Sequence, residues 1–218
     1  MERPSKLTWI ASLPARLRLF APVMRLGLGA DGDAWQGTEH PVPHWMFGRG
    51  CVKDFDWYLE GESRYAMADL KQVCSWLAAC DYVTDQALFR ADDFWQHPNT
   101  FEQIRKGDCD DHALWAWRKL TRMGYDAEFL VGQWCTPDTL PGQHAWVRFV
   151  HGGYHFVLEG TGGDPEAMIL PLTRAKQDYS PHFGVDGRLR RKVYRGFLER
   201  LDARAPAPDS HARVPLGA

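Results

Sequence analysis

Gln143-His-Ala-Trp-Val-Arg-Phe-Val-His-Gly-Gly-Tyr-His-Phe-Val-Leu-Glu159 reads as two strands joined by a tight turn. Gly-Gly between two β-type runs is a hairpin signal, because the turn that matches strand twist needs positive φ at both central residues. A two-residue loop pairs residue 151 with 154, so 147 faces 158 and 146 faces 159. Ala145, Val147, Phe149, Tyr154, Phe156 and Leu158 then share one wholly apolar face, which must be the core side. His144, Trp146, Arg148, Val157 and Glu159 share the other, more polar face. Glu159 becomes the diagonal neighbour of His144, within reach of a side-chain contact. A four-residue loop preserves that parity; a three-residue loop moves Glu159 to the wrong face.

Upstream, apolar residues recur at helical spacing. Met67, Leu70, Val73, Cys74 and Leu77 mark one amphipathic helix. Thr100-Phe-Glu-Gln103 matches a capping box, which predicts a short helix over 101–106 that Gly107 stops. Asp108 is placed to cap a longer helix. Its face is Cys109, Ala113, Ala116, Leu120 and Met123, and Gly124 ends it. A further strand is expected over 127–133. Helices first and antiparallel strands later give an α+β fold, with the Cys109 helix packed on an antiparallel sheet.

The rest of the 218 residues is organised around this unit. Residues 1–45 read as an N-terminal extension and linker, 46–200 as the catalytic domain and 201–218 as a flexible tail. The basic cluster Arg188–Arg195 reads as an exposed helix face. Ten tryptophans point to a dense aromatic core or an aromatic-lined cleft. A net charge of −2 argues against a nucleic-acid-binding surface, and no transmembrane segment is expected. Five cysteines without a CxxC pair do not suit a disulfide scaffold or a zinc ribbon. Prolines and arginines interrupt the N-terminal apolar stretch, so reduced thiols and a cytoplasmic location are expected.

Cys109 is the residue that suggests chemistry. A helix start lowers a thiol's pKa through its unpaired N–H groups and dipole. Asp108, Asp110 and Asp111 oppose that effect, so a thiolate there requires a nearby cation, and histidine is the natural one. His144 on a strand, with Glu159 beside it, completes an ordered Cys–His–acid set in which the carboxylate fixes the imidazole. A zinc site from Cys109, His112 and His144 lacks the usual ligand spacing.

Gly107-Asp-Cys-Asp-Asp-His-Ala113, Gly124-Tyr-Asp-Ala127, Gln143-His-Ala-Trp146 and Leu158-Glu159 together resemble the transglutaminase-like cysteine protease superfamily. Asp93-Phe-Trp-Gln-His-Pro98 resembles the segment preceding the nucleophile in its bacterial members. The likeness runs over residues 50–165. It implies a papain-like α+β fold, with Cys109 as nucleophile, His144 as general base and acid, and Glu159 as orienting acid. Many members carry Asp at that third place, and Asp164 is the substitute here. The implied activity is hydrolysis of a peptide or carboxamide bond in a peptide or protein substrate. An amine acceptor would make the enzyme a transglutaminase, and a catalytically silent peptide-binding module is the competing reading. Gln96 and Trp95 are candidate oxyanion donors beside the Cys109 backbone N–H. Bacterial relatives that cleave cell-surface adhesins bind calcium through acids flanking the cysteine, and Asp108 and Asp110 match those positions. Helix capping is the role expected of these acids, with no cofactor, so chelation is expected to change neither activity nor melting temperature.

Overall fold

The computed structural model describes residues 35–137, 140–195 and 197. The tail at 201–218 and the first 34 residues of the extension lie outside the described residues. In chain order the elements are β1 (Gly37–Glu39), a 3-10 turn (His44–Met46), α1 (Phe55–Leu59), α2 (Leu70–Ala78), β2 (Asp81–Tyr82) and α3 (Asp85–Leu88). Then come α4 (Pro98–Ile104), β3 (Lys106–Gly107), α5 (Cys109–Arg122), β4 (Asp126–Trp134), β5 (Gly142–His151) and β6 (Tyr154–Leu158). The last are β7 (Ile169–Pro171), α6 (Leu172–Ala175), β8 (Tyr179–Asp186) and β9 (Arg191–Tyr194). Among the described residues seven strands form one antiparallel sheet in the order β1-β9-β8-β4-β5-β6-β7, while β2 pairs in parallel with β3. The class is α+β, with α5 packed on the sheet.

The helix α5 forms because Asp108 enters it in extended conformation and Gly124, at φ +84°, releases the chain after its last turn. Ala113, Leu114, Trp117 and Leu120 are sealed from water against Phe129, Val131, Ala145, Val147 and Phe149 of the sheet. Truncating one such buried aromatic to alanine costs about 3–5 kcal/mol. Asp69 caps α2 by accepting the Gln72 N–H at 2.8 Å, and Trp76 of α2 stacks on Trp115 of α5 at 4.0 Å and 13°.

The hairpin has the expected register. His151 pairs with Tyr154, Phe149 with Phe156 and Val147 with Leu158, with Gly152 and Gly153 at φ +57° and +81°. The opposite face, however, is also buried. Leu130, Trp146, Val157, Leu172, Ala175, Tyr179 and Tyr194 form a second apolar layer there, and Trp35 meets Trp146 edge-on at 6.0 Å. Within this layer Glu128 accepts from Arg148 through Nε at 3.0 Å and from the Tyr194 hydroxyl at 2.7 Å. Sealing a charge this way is tolerable because its partners are buried with it.

Two expectations are corrected. The Thr100 capping box does not form: Pro98 opens α4, the His97 side chain caps it by accepting from Asn99 N–H, and left-handed Arg105 ends it. The basic run after 188 is a strand rather than a helix, because β9 pairs with β8. Residues 37–39, inside the stretch set apart as an extension, pair with 192–194 at the sheet edge. All five cysteines are free thiols, and no helix of the described residues is long and apolar enough to cross a membrane.

Candidate functional site

His144 lies on β5 opposite Gly132 of β4, where the register between β4 and β8 shifts by a bulge. A side chain at 132 would collide with the Ser180 carbonyl and with Pro181, so glycine lets β8 come close. That approach carries Tyr179 toward the histidine. The chain leaves β6 after Leu158, and Glu159 turns back to His144, whose Nε2 lies 2.7 Å from Glu159 Oε2. The same oxygen accepts the Tyr179 hydroxyl at 2.8 Å. Oε1 accepts from the Thr161 N–H at 3.0 Å and the Thr161 hydroxyl at 2.6 Å.

These bonds set the charges. Burial alone would push the Glu159 carboxyl up, but the bonds from His144 and Thr161 overcome it and hold the group down at about 2. Burial would push His144 down, but hydrogen bonding with Cys109 and with Glu159 lifts it to about 10. Both partners thus favour the protonated form of the imidazole. With Nε2 engaged by Glu159, Nδ1 is the nitrogen left for the Cys109 sulfur. Burial pushes the thiols of Cys51 and Cys74, which lie in the core, up to about 12. His112 is turned away from such a site, with its Nδ1 on the Asp108 carbonyl at 2.8 Å.

The acids at the helix start do not behave as caps. Asp108 occupies the N-cap position, but its side chain makes no capping bond. One oxygen each of Asp85, Asp108 and Asp110 is buried without a hydrogen-bond partner. Burial and then the neighbouring Asp111, Cys109 and Asp108 push Asp110 well above the usual carboxylate range. Burial pushes Asp111 the same way, although Gln96 opposes it. Ligand atoms of Asp85, Asp93 and Asp110 lie within 4.8 Å of one another, as do those of Asp85, Asp108 and Asp111. Orphaned carboxylate oxygens gathered this closely fit a hard divalent cation with oxygen ligands. The capping expectation for Asp108 is thus corrected, since burial is a tertiary property that the local pattern does not carry.

Gln96 and Trp95 also take other roles. The Gln96 side-chain amide donates to the Lys106 carbonyl at 2.9 Å and to Asp111, so both of its hydrogens are committed. Trp95 packs edge-on against Phe129 at 5.4 Å and Tyr58 at 6.3 Å inside the core. Asp164 caps its own turn by accepting the Glu166 N–H at 3.0 Å. Sequence reasoning missed Thr161 and Tyr179. An acid followed two residues later by threonine is a weak signal for the first; the second comes from a distant strand and leaves no local trace.

No family model matches the chain, and no curated protein does. The chain is similar to LapG of Legionella pneumophila. It is 22% identical to the calcium-bound LapG structure over 53% of this chain and 62% of that one, with a TM-score of 0.41. For the EGTA-treated form the identity is 22% over 53% and 60%, with a TM-score of 0.41. A further LapG structure is 21% identical over 62% of this chain and 74% of that one, at 0.44. The chain thus spans about three fifths of the calcium-bound LapG chain.

Proposed function

We propose that the chain is a transglutaminase-like cysteine peptidase or amidase, with Cys109 as nucleophile, His144 as general acid and base, and Glu159 as orienting acid. The observation that carries this reading is His144 bonded through Nε2 to the Glu159 carboxylate, whose oxygens also accept from Tyr179 and Thr161. The Cys109 thiolate attacks the carbonyl carbon, a C–S bond forms, and the carbonyl electrons move onto oxygen, where the Cys109 backbone N–H accommodates them. As the tetrahedral species collapses, His144 gives its proton to the departing amine and the C–N bond breaks. His144, now neutral, takes a proton from water as that water attacks the thioester, and the acid product leaves with Cys109 as thiolate. Glu159 keeps the ring oriented and favours its charged form throughout.

The carboxylates of Asp85, Asp93, Asp108 and Asp110 would hold a divalent cation such as calcium. When bound, it supplies the positive charge that lets these crowded acids stay ionised together. Turning over a mixed peptide library and mapping the new N-termini tests the proposal. Cleavage in wild type but not in Cys109→Ala is expected, together with iodoacetamide labelling of Cys109 at neutral pH far faster than of Cys74. Equal labelling of the two thiols and no new termini would overturn it.

A further inference from the structure

A cleft of about 490 Å³ opens beside the candidate site between the end of α2, β2 and the loop 160–163. One of its walls belongs to the site and a second adjoins it. Thr161 gives both its donors to Glu159, and His112 stands one turn along α5 from Cys109. A third wall is Tyr82, about half exposed, whose strand pairs it with Gly107 just before the cysteine. Its ring lies 6.3 Å from the His112 ring.

The loop carries three glycines in four positions, and only the first has a packing reason. A Cβ at Gly160 would press on His112 Cβ at 3.0 Å. At Gly162 it would make an ordinary contact with Met168 at 3.4 Å, and at Gly163 it would meet nothing within 4 Å. None of the three has positive φ. Gly162 and Gly163 make no hydrogen bond among the described residues. Glycine costs conformational entropy, and at 162 and 163 neither backbone geometry nor packing offsets that cost. What the two glycines provide is bare main chain facing the cleft.

Resting on the peptidase reading, we propose that this cleft is the acyl-donor subsite. An extended peptide segment of the substrate runs along Gly162–Gly163 through main-chain hydrogen bonds, and one of its side chains lies against the Tyr82 ring. Recognition of this kind reads backbone along the loop and side-chain bulk at Tyr82. A side chain added at 162 or 163 occupies the path of the peptide without disturbing the fold.

The test uses Gly163→Val and Tyr82→Ala with two thiol reagents of different reach. Iodoacetamide needs only the reactive sulfur and should alkylate Cys109 in both variants at the wild-type rate. Tripeptidyl chloromethyl ketones of mixed sequence also need the cleft, and their second-order inactivation rates should fall at least about tenfold through weaker initial binding. Melting temperatures should not fall for Gly163→Val. Wild-type rates with the peptidyl reagents in both variants would overturn the proposal. A second readout does not involve the thiol: equilibrium binding of the matching tripeptide amides to Cys109→Ala, with and without Gly163→Val. A tenfold loss of affinity supports the subsite even if Cys109 proves unreactive, which would sink only the peptidase reading. Unchanged affinity, or no binding at millimolar peptide, overturns the subsite itself.

Discussion

Glu102, beside the middle of α5, and Asp110, at its start, are both almost sealed from water, yet their surroundings are opposite. Glu102 accepts from Trp115 Nε1 at 3.0 Å, Arg118 Nη2 at 3.2 Å and the Arg64 N–H at 2.9 Å, and it pairs with Lys119 at 2.9 Å. Burial would raise its carboxyl, but the bonds from Ser63 and Lys119 leave it below the ordinary range. Asp110 has an oxygen with no partner and other acids for neighbours. The chain completes one buried charge itself and leaves the other incomplete. A protein tolerates the second arrangement where something from outside supplies the missing charge, or where stability has been yielded to function.

The sharpest way to break this contrast is Cys109→Ala. If the helix start serves chemistry rather than stability, turnover of the peptide library should fall by more than about 10³-fold. The melting temperature should stay near wild type, because alanine is the best helix former. Loss of folding together with activity would show that the helix start is structural after all.

Glu102→Gln tests the other side. Arg118 and Lys119 would be left buried beside a neutral amide, at a cost of about 3–5 kcal/mol in urea unfolding. A change below ~1 kcal/mol would mean that water reaches this network and that the two regions are less different than their burial implies.

Calcium should act on one region only. Added to EGTA-treated protein at about 100 times its dissociation constant, it should stabilise the fold by roughly 2.7 kcal/mol, read as a raised melting temperature. Asp110→Asn should stabilise the metal-free protein and abolish the response, whereas Glu102→Gln should leave the response in place. A melting curve indifferent to calcium removes the cation reading of the acids.

Glu159, a third carboxylate that is half-buried, should show the smallest effect. Its depressed carboxyl contributes stability that is present above 4.5 and lost as pH falls toward about 2. The raised His144 contributes stability present below 6.5 and lost as pH rises through about 10. Glu159→Gln should flatten the acid-side loss and lower turnover roughly tenfold to a hundredfold, less than His144→Ala does. A variant as inactive as His144→Ala would give Glu159 more than an orienting part.

The sequence revealed elements whose signals are local. Gly152-Gly153 specified the hairpin register, and hence the side of the sheet on which Glu159 emerges, because a turn of known length determines parity along both strands. The 3.6-residue period and Gly124 delimited α5. Where signals are tertiary, the reading failed. Pro181 and Gly184 break the apolar pattern of β8, and the arginines before β9 resemble a solvated helix, so neither strand was legible. The local pattern at 100–103 promised a capping box, but Pro98 had already opened the helix. Asp108 and Asp110 looked like caps because burial and missing partners become visible only once α3, α4 and α5 are assembled. Tyr179 comes to Glu159 through a bulge that no spacing rule contains.

The stacked indoles of Trp76 and Trp115 have an optical consequence. Two parallel rings 4.0 Å apart share their ultraviolet transitions, so the pair should contribute an exciton couplet to the circular dichroism spectrum. Because one ring belongs to α2 and the other to α5, the couplet registers the docking of those two helices and is silent about the sheet. Trp76→Phe would erase it, and the difference spectrum would isolate this one contact among ten tryptophans. On denaturation, the couplet and the backbone signal would fade together if helices and sheet unfold as a unit. If the helical layer detaches first, the couplet would vanish earlier, giving a label-free clock for that event.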